Sequence, residues 1–179
     1  MSRLRASAGY SLVEILVVLT ILTLAGAMFA RALASVHRLD PMVDETSLAS
    51  EQARIVIESM RNRPFAQVFA LYNDDPADDP GGPGTAPGSG FDVPGLVAPP
   101  GSATVGRVQF PSPGPALRES ADDEGLGMPR DLDGDGQVDG NDHSGDYIIL
   151  PVRIRLEWSP GPKATRNRAL LVYTMLSGL

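Results

Sequence analysis

Gly9-Tyr10-Ser11-Leu12-Val13-Glu14-Ile15-Leu16-Val17-Val18-Leu19 opens an apolar run that continues to Ala30 and is interrupted by one charge, Glu14. Residues 10–30 match the roughly 20 that a helix needs to cross a bilayer core. Ahead of them, Met1 to Gly9 is short and polar and carries Arg3 and Arg5. Basic residues before the run and a long polar remainder after it predict a cytoplasmic N-terminus and an exported remainder. Past the run the apolar character becomes one-sided. Met42, Ala49, Ala53, Val56 and Met60 recur at helical spacing, with Asp44, Glu45, Glu51, Glu58 and Arg61 on other faces, so an amphipathic half of the helix is expected over 31–63. Asp40-Pro41 is expected to kink or restart it. Asn62-Arg63-Pro64 should end it, because the residue before a proline is pushed away from helical angles.

Residues 64–179 read as the exported globular part. Almost half of the residues from Asn73 to Pro115 are Gly or Pro, which predicts an irregular excursion, with a short strand over Thr104 to Phe110 and a weaker one around Val93 to Val97. Over 146–176 the pattern is a hairpin. Val152, Ile154, Leu156 and Trp158 alternate with Arg153, Arg155 and Glu157, then Ser159-Pro160-Gly161-Pro162 turns the chain into a second β-rich run, Arg168 to Leu176. A hairpin alone is marginal in water, so its apolar face needs cover, and the amphipathic half of the helix is the sizeable partner available. The expected fold class is α+β, a long N-terminal helix packed on a small antiparallel sheet.

The chain has 179 residues, enough for one domain and an appendage, and no cysteine, so disulfides and thiolate metal sites are excluded. Its net charge of -7 is unevenly spread: residues 74–146 hold 15 of the 22 acidic side chains and 3 of the 15 basic ones. Such a stretch disfavours nucleic acid and suits a solvated loop or a cation site.

The segment Gly9 to Leu19 resembles the prepilin cleavage and methylation motif of type IV pilins and type II secretion pseudopilins: a basic leader ending in glycine, a near-aromatic first mature residue, glutamate at the fifth mature position and an apolar helix. The resemblance implies that prepilin peptidase removes 1–9 by cutting after Gly9 and methylates the amino group of Tyr10. It also implies a non-catalytic subunit anchored in the bacterial inner membrane, with its C-terminal part in the periplasm or outside the cell. The implied partners are other pilin or pseudopilin subunits and the inner-membrane assembly platform. Ile57 to Phe65, the alternating strand ending at Trp158 and the last strand look like the minor subunits that cap or prime such filaments. For Glu14 there is a physical reason beyond the pattern. A carboxylate in an apolar helix costs about 2.5–3.5 kcal/mol on insertion scales and is tolerated mainly when paired. The resemblance implies pairing with the Tyr10 ammonium of a neighbouring subunit, whereas a side chain near the interface would simply snorkel.

Asp131-Leu132-Asp133-Gly134-Asp135-Gly136-Gln137-Val138-Asp139-Gly140-Asn141-Asp142 follows the spacing of an EF-hand calcium loop. The expected ligands are side-chain oxygens of Asp131, Asp133 and Asp135, the backbone carbonyl of Gln137, Asp139 directly or through water, and Asp142 as the closing carboxylate. Asp142 stands where EF-hands carry a glutamate and resembles the loops of dockerin modules. Gly125, Gly127 and Pro129 before the loop and the β-rich run after it exclude a helix-loop-helix unit. The alternative is a solvated acidic turn without metal.

Nothing points to catalysis or an organic cofactor. His37 and His143 belong to no nucleophile or paired-carboxylate motif and read as surface residues, and Gly81-Gly82-Pro83-Gly84 is no phosphate cradle. Trp158 reads as core, and Arg153 and Arg155 as a solvated strand face. Two other readings stay open. Ala25-Gly26-Ala27 and Ala32-Leu33-Ala34 fit signal-peptide cleavage, which would release a secreted protein. A calcium-dependent adhesion module could use the helix merely as an anchor.

Overall fold

The computed structural model describes residues 11–112, 114–161 and 166–178, with backbone alone over 34–43. Gly9 and Tyr10, and the side chains of His37 and Met42, lie outside the described residues. Helix α1 spans Leu12–Arg61, and its helical assignment is unbroken at Asp40-Pro41. Compactness divides the chain after Asp44.

In the first unit, Leu12–Leu33 is a 22-residue segment with none of its length buried, long and apolar enough to cross a membrane. Glu14 stands in its first turn.

The second unit, Glu45–Leu179, is α+β. Its stretch of α1 buries Ala49, Ala53, Val56 and Met60, a stripe at helical spacing, while Arg54, Glu58 and Arg61 face water. The helix ends where Pro64 requires. The N–H of Asn62 still donates to Glu58 O (3.1 Å), that of Arg63 tightens onto Met60 O (3.0 Å), and the chain then leaves helical geometry. A 3-10 turn, Phe65–Gln67, and a short helix α2, Val68–Tyr72, follow.

Four antiparallel strands form one sheet in the order β1 (Gly90–Phe91), β2 (Gly106–Gln109), β3 (Ile149–Trp158) and β4 (Arg168–Ser177). The hairpin β3–β4 pairs Ile149 with Ser177 through Trp158 with Arg168. Leu150, Val152, Ile154, Leu156 and Trp158 point inward, each essentially inaccessible, and join the helical stripe, Phe69 and Tyr72 in one core. The strand predicted over Thr104 to Phe110 is β2, shortened at both ends. Val93 to Val97 is not a strand: Pro94-Gly95 makes a turn, closed by Leu96 N donating to Val93 O (3.0 Å), and only Val97 bridges to Ser159. The extended pairing falls instead on Gly90–Phe91.

Arg155 faces solvent as expected, but Arg153 does not. It is only 21% exposed, pairs with Asp123 (2.5 Å) and stacks over the Tyr173 ring at 5.2 Å. The reason is the 3-10 turn Glu124–Leu126, which lies over this part of the outer face with Leu126 buried.

Where helix meets hairpin, Glu45 Oε2 accepts from Trp158 Nε1 (2.8 Å) and from Arg168 (2.5 Å), both in surroundings with little water. Glu45→Ala leaves a buried indole N–H and a half-buried guanidinium without an acceptor and is expected to cost about 2–3 kcal/mol. Glu45→Gln, which keeps one acceptor oxygen, should cost less. Denaturant midpoints of the two variants beside the unaltered chain check this, and a Glu45→Ala midpoint equal to that of the unaltered chain would show that the contact is incidental.

Candidate metal centre

The Asp131–Asp142 loop is held from two directions. Leu132, its second residue, is fully buried, and its carbonyl accepts from Ile148 N (2.8 Å) and Ile149 N (3.1 Å), tying the loop to the start of β3. From below, the strip Leu117–Ser120 runs alongside it. Ser120 N donates to Asp139 O (2.9 Å), Arg130 N to Glu119 O (3.1 Å) and His143 N to Leu117 O (2.7 Å). Arg118 adds a side-chain bond to Gly140 O.

Within the loop the aspartates first serve the backbone. Asp131 accepts from Gly134 N (2.6 Å) and Gly136 N (2.8 Å), Asp133 from Asp135 N (3.0 Å), Asp135 from Gln137 N (2.7 Å) and Asp139 from Asn141 N (2.7 Å). These bonds curl the chain so that carboxylates gather on its concave side. Gly136 sits at φ 86°, the left-handed turn that the sixth loop position requires. The N–H groups of Gly134 and then Gly136 hold the Asp131 carboxyl below its ordinary range, and that of Asn141, then His143, does so for Asp139.

Glu119 organises the interior of the site. Only 1% exposed, it accepts from Leu132 N (2.5 Å) and Asp133 N (3.3 Å) through Oε1, and from Asp139 N (3.1 Å) through Oε2. His143 completes it and overturns the surface reading. It is 6% exposed, with Nε2 on Asp139 (3.1 Å) and Nδ1 on Asp146 (3.2 Å), and with Asp133 at 3.5 Å and Glu119 at 3.9 Å. Burial pulls its pKa down. The Asp139 hydrogen bond and the charges of Glu119, Asp146 and Asp133 outweigh burial and hold it above the ordinary value.

Three overlapping groups of ligand atoms, each within 4.8 Å of one another, result among the described residues: Glu119, Asp131 and Asp133; Glu119, Asp139 and His143; and Asp133, His143 and Asp146. The first offers only hard oxygens, the donor type that calcium takes, whereas the other two include an imidazole nitrogen, a donor that suits transition metals. Of the residues predicted as ligands, Asp131 and Asp133 share one group, and Asp139 falls in another that also includes Glu119. Asp135 and Gln137 lie exposed on the loop, and Asp135 joins none of the three groups. Asp142, predicted to close the site, also joins none. Its Oδ1 accepts from Leu117 N (2.9 Å) and Ser144 N (3.0 Å). The buried carboxylate facing Asp131 and Asp133 is Glu119.

Glu119, His143 and Asp146 were missed by the sequence reading. His143 had a usable signal, since it directly follows the last aspartate of the loop. Glu119 had none, because no spacing links it to Asp131. Glu14 lies exposed in α1, and the predicted processing residues Gly9 and Tyr10 are not among the described residues. No protein-family model, curated protein or solved structure matches the chain.

Glu119→Ala would strip three backbone N–H groups of their acceptor, two of them flanking the buried Leu132. At about 1–3 kcal/mol for each buried donor left unmet, the expected loss is about 3 kcal/mol or more. Glu119→Gln should retain part of it. Thermal melts in the presence of chelator isolate this effect from any metal, and a melt unchanged by Glu119→Ala would refute the organising role.

Proposed function

We propose that the chain is a non-catalytic structural subunit of a type IV pilus-like filament or type II secretion pseudopilus, anchored in the bacterial inner membrane and carrying a calcium-stabilised loop. The observation that carries the reading is the apolar Leu12–Leu33 segment with a single carboxylate in its first turn, attached to a separate compact α+β unit. A simple anchor has no use for a charge there. A helix that associates with its neighbours does, because the carboxylate can be neutralised by the amino group that processing after Gly9 creates on Tyr10. The partners that follow are prepilin peptidase, the assembly platform and other pilin-like subunits.

Calcium is the cation proposed for the loop. Asp131, Asp133 and Glu119 would hold it, with Asp135, the Gln137 carbonyl and Asp139 as the further oxygens of the loop. When bound, it supplies the positive charge that lets these carboxylates stay close together. Its role is to staple a chain without disulfides at the point where a long irregular segment enters β3.

Two measurements test the reading. Protein extracted from membranes should have a mass and N-terminus that begin at methylated Tyr10. Glu14→Ala should leave insertion intact and abolish crosslinking to partner pilins. A mature chain starting at Met28 or Ser35 would support secretion of a soluble protein and end the filament reading.

For calcium, the full chain in detergent should show heat on titration and a chelator-sensitive melt. The stabilisation should be about 2.7 kcal/mol when free calcium is a hundredfold above the dissociation constant. Asp131→Ala with Asp135→Ala should remove both signals. Absence of both in the unaltered chain would reduce the loop to a solvated acidic turn.

A further inference from the structure

Strand β4 ends the sheet, and among the described residues nothing pairs with its outer side. Ten residues long, it carries no charge and no proline between Ala169 and Ser177, and it exposes Leu171, Tyr173 and Met175. Soluble proteins blunt such edges with lysine, proline or a bulge, so an unprotected edge of this length calls for a partner.

The charges beside the two sheet edges say which. Next to the C-terminal end of β4, a groove of about 270 Å³ has Met60, Phe65 and Met175 in its wall and Arg61 and Arg63 at its rim. Arg63 has no ion-pair partner among the described residues, and Arg61 has only Glu58, 3.8 Å away and half-exposed. Beside β1, at the opposite edge, a recess of about 390 Å³ is lined by Asp74, Asp75 and Asp79, with Arg107 as its one cation. Arg107 engages Asp74 alone, at 3.3 Å. Burial, opposed by the Asn73 hydrogen bond and reinforced by the charges of Asp75 and Asp79, pushes the neighbouring Asp78 carboxyl up. One edge is therefore apolar with Arg63 unpaired and Arg61 only loosely paired near its C-terminal end, and the recess beside the other carries excess carboxylate.

We infer that a second copy of this chain docks head to tail, the β4 edge and its Arg61–Arg63 rim of one copy against the β1 edge and its Asp74–Asp79 recess of the next. The two surfaces differ, so the contact is heterologous and leaves both outer edges of a pair free for further copies, which builds a ring or an open filament and not a closed dimer. Attraction between the rims sets the register, while burial of Leu171 and Met175 supplies the apolar part. The contact depends on the filament reading only in that a shared anchor holds copies side by side.

Because the native chain has no cysteine, single thiols report the contact cleanly. Exposed Asn62 and Ala77 flank the two rims. Full-length Asn62→Cys and Ala77→Cys chains are mixed in detergent and treated with a short bis-maleimide. The expected product joins 62 of one copy to 77 of another and exceeds the 62–62 and 77–77 products. Arg61→Glu with Arg63→Glu should lower it about tenfold, and adding Asp75→Lys with Asp79→Lys should restore it. Asp75→Asn with Asp79→Asn, which keep the acceptors for Ala77 N and Ala86 N, should weaken it without disturbing the fold, as thermal melts verify. Leu171→Lys should also reduce it. A dominant 62–62 product, equal yields from all pairings, or indifference to charge reversal would overturn the contact. Since Tyr10 processing and Glu14-dependent crosslinking are read separately, a processed chain lacking the 62–77 product sinks this inference alone.

Discussion

The inner face of β3 is the constraint on which the C-terminal unit depends. Five consecutive inward positions, Leu150, Val152, Ile154, Leu156 and Trp158, are apolar and leave the strand unable to exist in water uncovered. Cover comes from α1 between Ala49 and Met60. Ala49, Ala53, Val56 and Met60 are buried in one cluster with the inner face of β3 and Phe69. Glu45 then fixes the start of the covering segment by bonding Trp158 and Arg168 at the hairpin's end, so helix and sheet are located by one polar contact as well as by burial. The stretch of helix that covers the sheet is continuous in sequence with the stretch that faces lipid in the proposed reading, which places anchoring and folding on one element.

A second, polar centre complements this core. The irregular chain between β2 and β3 adds Leu117, Leu126, Met128, Leu132 and Tyr147 to the core, and its backbone obtains further order from carboxylates that accept N–H groups. Glu119 does this from inside, and Asp131, Asp133, Asp135, Asp139 and Asp142 do it from the loop itself. Such an arrangement concentrates negative charge as a by-product of satisfying the backbone. His143 offsets part of that charge when protonated, and a cation would offset more.

Legibility in the sequence followed the range of the interactions. The hairpin, the helical stripe and the helix stop before Pro64 were readable because period two, period 3.6 and proline sterics are local. The loop's curl was readable for the same reason, from Asp and Gly spacing. What escaped depended on chain segments meeting from afar. The partner of Glu119 is a backbone run beginning 13 residues later. Arg153 is drawn out of solvent by Asp123, 30 residues earlier. The misplaced strand at Val93 to Val97 is a smaller error of the same kind, because the β-branched valines were outweighed by the Pro94-Gly95 turn between them. Asp142, at the closing position of the loop spacing, accepts from the backbone N–H groups of Leu117 and Ser144, bonds that the spacing alone does not foretell.

The charge distribution links these levels. An acidic excess spread evenly over a small unit would oppose any self-association. Here the acid is concentrated in residues 74–146 by the needs of irregular backbone, while the helix end and β4 are left basic and apolar. Sheet order places Asp74, Asp75 and Asp79 beside the β1 edge, whereas the Glu124–Leu126 turn lies over β3 and β4 and the Asp131–Asp142 loop joins the start of β3. Asp75 and Asp79, which accept from Ala77 N and Ala86 N, thereby put carboxylates beside the β1 edge, where the inferred contact would use them. In the proposed contact, directional assembly would draw on the same carboxylates that hold irregular backbone between Asn73 and Pro115.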